Sequence, residues 1–180
     1  MVALTYAQEG KQIDCDAIKV CQDMMKQNTG IFSTFRGDMG LYIATLLSLT
    51  EDPQAVFRET LIVYDLLKAE RFRASDFLIV AAFQVASQSQ KSDYARVIQR
   101  TRAFYDDMKA KHFFYTGADD YIFATMLGLG NLDVTASTAR IEKIYDFLKN
   151  EFWTKNSVQT LAQVLVLGES DDAGVDRVLV

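Results

Sequence analysis

Three stretches of the chain repeat one pattern: Val63-Tyr64-Asp65-Leu66-Leu67-Lys68, Phe104-Tyr105-Asp106-Asp107-Met108-Lys109 and Ile144-Tyr145-Asp146-Phe147-Leu148-Lys149. Their tyrosines lie 41 and then 40 residues apart. The shared apolar positions fall on one stripe of a helix, whereas the shared Asp and the Lys three residues after it lie outside that stripe. The pattern therefore predicts amphipathic outer helices with a weak Asp–Lys pair in water and a buried Tyr packed on the preceding helix.

Between these stretches lie segments without any charged residue, at residues 40–50, 77–90, 121–132 and 156–168. An alanine recurs in their middle, as Ala44, Ala81, Ala124 and Ala162. A helix that is apolar nearly all round is buried between neighbours, and a small residue lets helix axes approach closely. Some of these runs have β propensity, but their length and their alanines favour helix. We therefore predict buried inner helices that alternate with the charged outer ones.

Helix boundaries carry chemical markers. Asp52-Pro53 places an N-cap residue before a proline at the first helical position, and Ser75 precedes another uncharged segment. A further helix is expected at about residues 14–27. The sequence predicts a single all-α domain over residues 1–180, an α-solenoid-like array of antiparallel helix pairs with a period of about 40 residues.

The last helix pair is incomplete by this reasoning. Its outer helix begins at about Asp171 or Asp172, and the sequence ends at Val180. We expect the chain to be a truncated N-terminal part of a longer protein. The inner helix at residues 156–168 is then only partly covered, which predicts self-association through this end because helical arrays need polar caps.

Composition limits the function further. The net charge of −5 argues against a nucleic-acid binder. The longest uncharged run, residues 77–90, is too short to span a membrane, and the N-terminus does not resemble a signal peptide. Two cysteines six residues apart indicate reduced thiols. We expect a cytoplasmic protein, and the sequence indicates no cofactor.

Two groups of polar residues are candidate sites. His112, Asp119 and Asp120 are a weak candidate for a metal or acid–base site if the connecting segment folds back. Alternatively, Asp119 caps a helix and Asp120 interacts with its N-terminal dipole. Arg36 belongs to an Arg-Gly-Asp tripeptide, which is found in adhesion proteins, but a tripeptide often occurs by chance, and pairing of Arg36 with a carboxylate or a helix C-terminus is favoured. No catalytic residue is indicated, because the sequence contains no known nucleophile, phosphate or zinc motif.

Several motifs together resemble an uncharacterised bacterial family, domain of unknown function 4003. The motifs are Phe35-Arg36-Gly37, His112…Thr116-x-x-Asp119-Asp120 and Asn156-x-x-Gln159-x-Leu161-x-x-Val164-Leu165. The resemblance covers about residues 13–168 and implies no activity. It also implies Ser-His at the positions of Ala162-Gln163, so the chain departs from the family pattern there.

Two functional hypotheses follow. A helical-repeat protein–protein interaction or scaffold domain, whose partner is another protein or a peptide, is favoured because stacked helices form extended binding surfaces. The alternative is a small-ligand- or metal-binding enzyme domain with a polar site near Asp119 and Asp120. A groove lined by helices favours the first, whereas a pocket with converging polar groups favours the second.

Overall fold

A computed structural model describes residues 2–30, 33–111, 116–152 and 154–168, and every regular element among them is helical. The helices are α1 (Val2–Gln8), α2 (Cys15–Gln27), α3 (Asp38–Ser48), α4 (Pro53–Ala69), α5 (Asp76–Gln88), α6 (Tyr94–Lys111), α7 (Asp120–Leu129), α8 (Val134–Leu148) and α9 (Lys155–Gly168). Short 3₁₀ turns occur at Thr34–Arg36 and Lys91–Asp93. The all-α prediction is confirmed for these residues.

The chain forms two compact units, Met1–Tyr94 and Ala95–Val180. In the first unit α4 packs on α5, α2 packs on α3, and α3 also contacts α1 and α5. In the second unit α9 packs against α8 and α7. The expected single domain of regular antiparallel pairs stays a prediction.

The inner helices α3, α5, α7 and α9 are buried as the missing charges predict. Ala44, Ala81, Ala124 and Ala162 all have 0% exposure. The backbones of α7 and α6 approach closely at Gly128, where an added Cβ would lie 2.5 Å from Thr101 Oγ1 and 2.9 Å from Thr101 N. The prediction that these four alanines are buried is therefore confirmed.

The outer helices carry the predicted charged face with one variation. Lys68 Nζ lies 3.6 Å from Asp65 Oδ1, and Lys149 Nζ lies 2.7 Å from Asp146 Oδ1. In α6 the equivalent Asp106 pairs with Arg102. Arg102 precedes Asp106 by one turn and its guanidinium donates two hydrogen bonds to the carboxylate, a geometry that a lysine amine cannot match.

The helix starts follow the predicted chemistry. Asp52 Oδ1 accepts a hydrogen bond from Ala55 N at 2.9 Å, with Pro53 at the first helical position. Ser75 Oγ accepts from Leu78 N at 3.2 Å at the start of α5. Because these caps satisfy N–H groups that have no partner inside the helix, they fix where α4 and α5 begin.

The repeated tyrosines are buried, but the recorded ring contacts differ between repeats. Tyr64, Tyr105 and Tyr145 are 9%, 5% and 6% exposed. The Tyr64 ring packs edge-on against Phe35, which precedes α3, with centroids 5.1 Å apart. The Tyr105 ring packs edge-on against Tyr121 of α7, the following inner helix, at 5.0 Å. The expected packing of each tyrosine on the preceding inner helix stays a prediction.

The predicted incomplete outer helix lies in residues 169–180, outside the described residues. On α9, Val158 and Val166 are buried, whereas Leu161 is 38% exposed. Self-association through this face stays a prediction. Among the described residues, no helix combines the length and apolar character needed to cross a bilayer.

Candidate functional site

The structure places the two predicted aspartates at the start of α7, while His112 lies outside the described residues. The expectation that Asp119 caps α7 is wrong in one respect. Asp119 occupies the N-cap position, but its side chain accepts no hydrogen bond from the helix. Its backbone is already helical (φ −60°, ψ −32°), whereas a capping side chain usually needs an extended backbone. Instead Asp119 Oδ2 lies 3.4 Å from Asn156 Nδ2.

Asp120, and not Asp119, forms a hydrogen bond to the loop that precedes α7. Its Oδ2 accepts a hydrogen bond from Gly117 N at 2.8 Å, three residues upstream. The bond has the three-residue spacing of the backward bond of a capping box, but it reaches an N–H two residues before the N-cap Asp119. The residue is only 2% exposed. Asp120 therefore holds the loop that leads into α7 from a buried position.

Two glutamines of α9 complete what we call the Asp120 network, which consists of Asp120, Thr116, Gln159 and Gln163. Gln163 Nε2 donates to Asp120 Oδ1 at 2.8 Å, and Gln159 Nε2 lies 3.3 Å from the same oxygen. Gln159 Nε2 also donates to Thr116 Oγ1 at 3.0 Å. The glutamines are four residues apart and so share one face of the helix. The network links α9 to the start of α7.

The network extends to the last turns of α6. Thr116 Oγ1 lies 3.3 Å from Met108 O and is placed to donate to it. Gln163 Nε2 lies 3.2 Å from Met108 Sδ, a weak acceptor. Met108 is 2% exposed, so these contacts are sealed from solvent as well. Side chains from three helices and one loop thus meet around a single carboxyl group.

The electrostatic environment of Asp120 is unusual for a carboxyl group. Burial raises the pKa of Asp120 above its usual range, although the hydrogen bonds from Gln163, Gly117 and Gln159 act in the opposite direction. The nearby Asp119 raises it further. None of these three donors is a cation, so the charged form has no opposite charge among them. Ionising the group is therefore costly.

Each glutamine leaves one polar atom without a partner. The Oε1 atoms of Gln159 and Gln163 are buried and accept no hydrogen bond from the residues that the structure describes. A protonated Asp120, which is a donor, offers one of these oxygens a partner after rotation of the amide. The geometry thus suits a neutral carboxyl group at least as well as an ionised one. Within the described part of the chain, no group of three or more His, Cys, Asp or Glu side chains is arranged to hold a metal ion.

Arg36 is engaged inside the first unit. Its guanidinium donates to the carbonyl oxygens of Lys26 and, at 2.6 Å, Thr29, at and just beyond the C-terminal end of α2. Its Nε also lies 3.4 Å from Thr29 Oγ1. The sequence-based interpretation that Arg36 binds a helix C-terminus is confirmed. An adhesion motif needs an arginine side chain that is available to a receptor, whereas the Arg36 guanidinium is bound to carbonyl oxygens of its own chain.

A surface groove, which the sequence reasoning did not predict, lies between α2 and the start of α4. Its main cavity has a volume of about 430 Å³. It is lined by Val20, Cys21, Met24, Gln27, Asn28, Glu51, Asp52, Pro53 and Gln54. A second cavity of about 80 Å³ is lined by Asn28, Gln54, Phe57, Arg58 and Leu61. The two share Asn28 and Gln54, so we treat them as one α2–α4 groove.

One sequence signal for this groove was available. Val20 and Met24 lie four residues apart on α2, outside the stripe formed by the buried Ile18, Cys21 and Met25. Val20 is 69% exposed. Apolar residues on a second face of an otherwise polar helix indicate a surface that is not fully covered.

The sequence was compared with protein families, curated proteins and solved structures. Residues 1–179 match the family described as "Protein of unknown function (DUF4003)". No curated protein and no solved structure matches the chain. Because the match covers nearly the whole sequence, the chain belongs to the DUF4003 family.

Proposed function

We propose that the chain is a helical-repeat protein–protein interaction domain that binds a peptide segment of a partner protein in the α2–α4 groove. The observation that carries the proposal is the cavity of about 430 Å³ between two helices. Pockets that bind small ligands have volumes of about 300–1,000 Å³, so the cavity is large enough to accept several side chains of a peptide. A groove between stacked helices is also the kind of surface that helical arrays use for binding.

The composition of the groove supports a peptide as the ligand. Buried Cys21 and Phe57 and the half-buried Met24 and Leu61 give it an apolar lining. Methionine is flexible and polarisable and therefore adapts to different apolar side chains. Exposed polar residues flank this lining, an arrangement typical of protein interfaces with an apolar core and a polar rim.

The alternative, an enzyme or metal-binding domain with its site near Asp119 and Asp120, has less support. Asp120, Gln159 and Gln163 are at most 2% exposed, so a substrate has no access to the carboxyl group in this conformation. All three hydrogen bonds to that group come from the protein itself. We therefore assign the Asp120 network a structural role.

The proposal is tested by selecting ligands from a library of random peptides displayed on phage, with the full chain as bait. Peptides that bind are measured by calorimetry against the Val20→Glu variant, which places a charge in the groove. We expect at least about tenfold weaker binding, equivalent to about 1.4 kcal/mol. Val20 is 69% exposed, so this substitution leaves the fold intact.

The matched control is Leu4→Glu, the same kind of change at a residue that is 63% exposed and does not line the groove. It should bind the selected peptides as the unmodified chain does. If no peptide is enriched, or if both variants bind equally well, the proposed function is wrong.

A further inference from the structure

The two ends of the α2–α4 groove carry opposite charges. Glu51 and Asp52 line one end, and Arg58 lines the other. The side chains of Glu51 and Arg58 make no hydrogen bond or ion pair with the described residues, and both residues are exposed. Asp52 uses Oδ1 to cap α4. A ligand in the groove therefore meets negative charge at Glu51 and Asp52 and positive charge at Arg58.

The length of the groove limits the spacing of complementary charges. Asp52 and Arg58 are six residues apart along the start of α4, and at 1.5 Å per helical residue this separation is about 9 Å. An extended peptide advances about 3.3 Å per residue, so about three residues cover this distance. A ligand that reaches both ends thus needs its two charged side chains about three residues apart.

The walls of the groove offer hydrogen bonds suited to a peptide main chain. Gln27 of α2 and Gln54 of α4 both line the main cavity. Neither side chain has a partner among the described residues. Each amide supplies both a donor and an acceptor, as does every peptide unit of an extended chain. This matches a polypeptide better than a nucleic acid, whose phosphates Glu51 and Asp52 would repel.

We propose that the groove binds an extended peptide in one orientation, with a basic side chain toward Glu51 and Asp52 and an acidic side chain about three residues away toward Arg58. This inference rests on the proposed function. It adds the chemistry and the orientation of the partner segment, since a reversed charge order would place like charges together at both ends.

The test uses the same phage library with the full chain and with Arg58→Glu as baits. Peptides selected by the unmodified chain should share a basic and an acidic residue at the stated spacing. Arg58→Glu should bind those peptides about fivefold more weakly, because an exposed ion pair becomes a repulsive contact. Its own selected peptides should carry a basic residue in place of the acidic one. Lys11→Glu, an equal charge change outside the groove, is the control and should leave the selection unchanged.

Two results overturn the inference while leaving the proposed function intact. In one, peptides bind in a way that depends on Val20 but show no paired charges. In the other, Arg58→Glu selects the same sequences as the unmodified chain.

Occupation of the groove by a second copy of the chain also overturns the inference. That outcome appears in sedimentation as a dimer that Val20→Glu dissociates.

Discussion

Replacing Asp120 by asparagine tests whether the buried network needs a negative charge. In Asp120→Asn the side-chain oxygen still accepts from Gly117 N or from a glutamine. The new amide group donates to one of the glutamine Oε1 atoms that now lack a partner. We therefore expect the free energy of unfolding at neutral pH to stay within about 1 kcal/mol of the original or to rise, because the cost of burying a charge disappears.

Replacing Asp120 by alanine should have a different effect. Gln159 keeps Thr116 as an acceptor, and Gln163 keeps the weak acceptor Met108 Sδ. Gly117 N, which is half-buried, loses its side-chain acceptor, and an unsatisfied donor of this kind costs at most about 1–3 kcal/mol. Loss of the buried charge offsets part of this cost, so we expect a net destabilisation of about 1 kcal/mol.

The pH dependence has a definite sign. Burial raises the pKa of folded Asp120, so the folded state binds this proton more tightly than the unfolded state does. The contribution of Asp120 to stability is full below about pH 4, the ordinary aspartate pKa. It falls as the pH rises through the window up to the raised value and is constant above it. Asp120→Asn removes this dependence.

Urea denaturation followed by circular dichroism over a pH series measures these differences. Asp119→Asn is the control, since Asp119 is half-buried and makes only the contact with Asn156 that is described. If Asp120→Asn is destabilised at neutral pH as strongly as Asp120→Ala, the network requires an ionised carboxylate and the reasoning is refuted.

Two further substitutions test close contacts elsewhere. Gly128→Ala should lower the melting temperature and reduce the free energy of unfolding by about 1–3 kcal/mol, because the new Cβ meets the backbone of Thr101. Gly30→Ala is the control and should leave both unchanged, since no atom lies within 4 Å of its Cβ. Equal melting temperatures of the two variants would contradict the close packing. Arg36→Lys should destabilise the chain by about 1 kcal/mol, because one amine cannot replace the guanidinium at several carbonyl oxygens. Hydrogen exchange at the last turn of α2 should increase in this variant, and unchanged exchange would show that Arg36 does not hold that end.

The sequence was sufficient to predict the helices because their signals are local. Alternating charged and uncharged segments separate outer from inner helices, and the start of α4 follows from Asp52 and Pro53 alone. The burial of Ala124 and Ala162 likewise follows from the lack of charge around them. These inferences use neighbouring residues on one helix and need no knowledge of tertiary contacts.

The sequence did not predict the partners of Asp120. Gln163 contacts Asp120 across 43 residues, and no periodicity within either helix specifies that contact. The local signal was a pair of glutamines one turn apart in a segment without charged residues. The sequence also could not distinguish Asp119 from Asp120 as the group that holds the chain before α7, because that depends on whether Asp119 already has a helical backbone.

The two glutamines of α9 also restrict how that helix can be aligned on its neighbours. An apolar, alanine-containing surface such as that of α7 and α9 tolerates sliding, because one methyl group packs much like another. A shift of α9 by one residue would rotate Gln159 and Gln163 by about 100° away from Asp120. The carboxyl group would then be buried with only Gly117 N as a partner, while both amides would lose their acceptor. The network thus penalises every misaligned packing of α9, and a single arrangement of the second unit is selected even where its apolar contacts are nearly interchangeable.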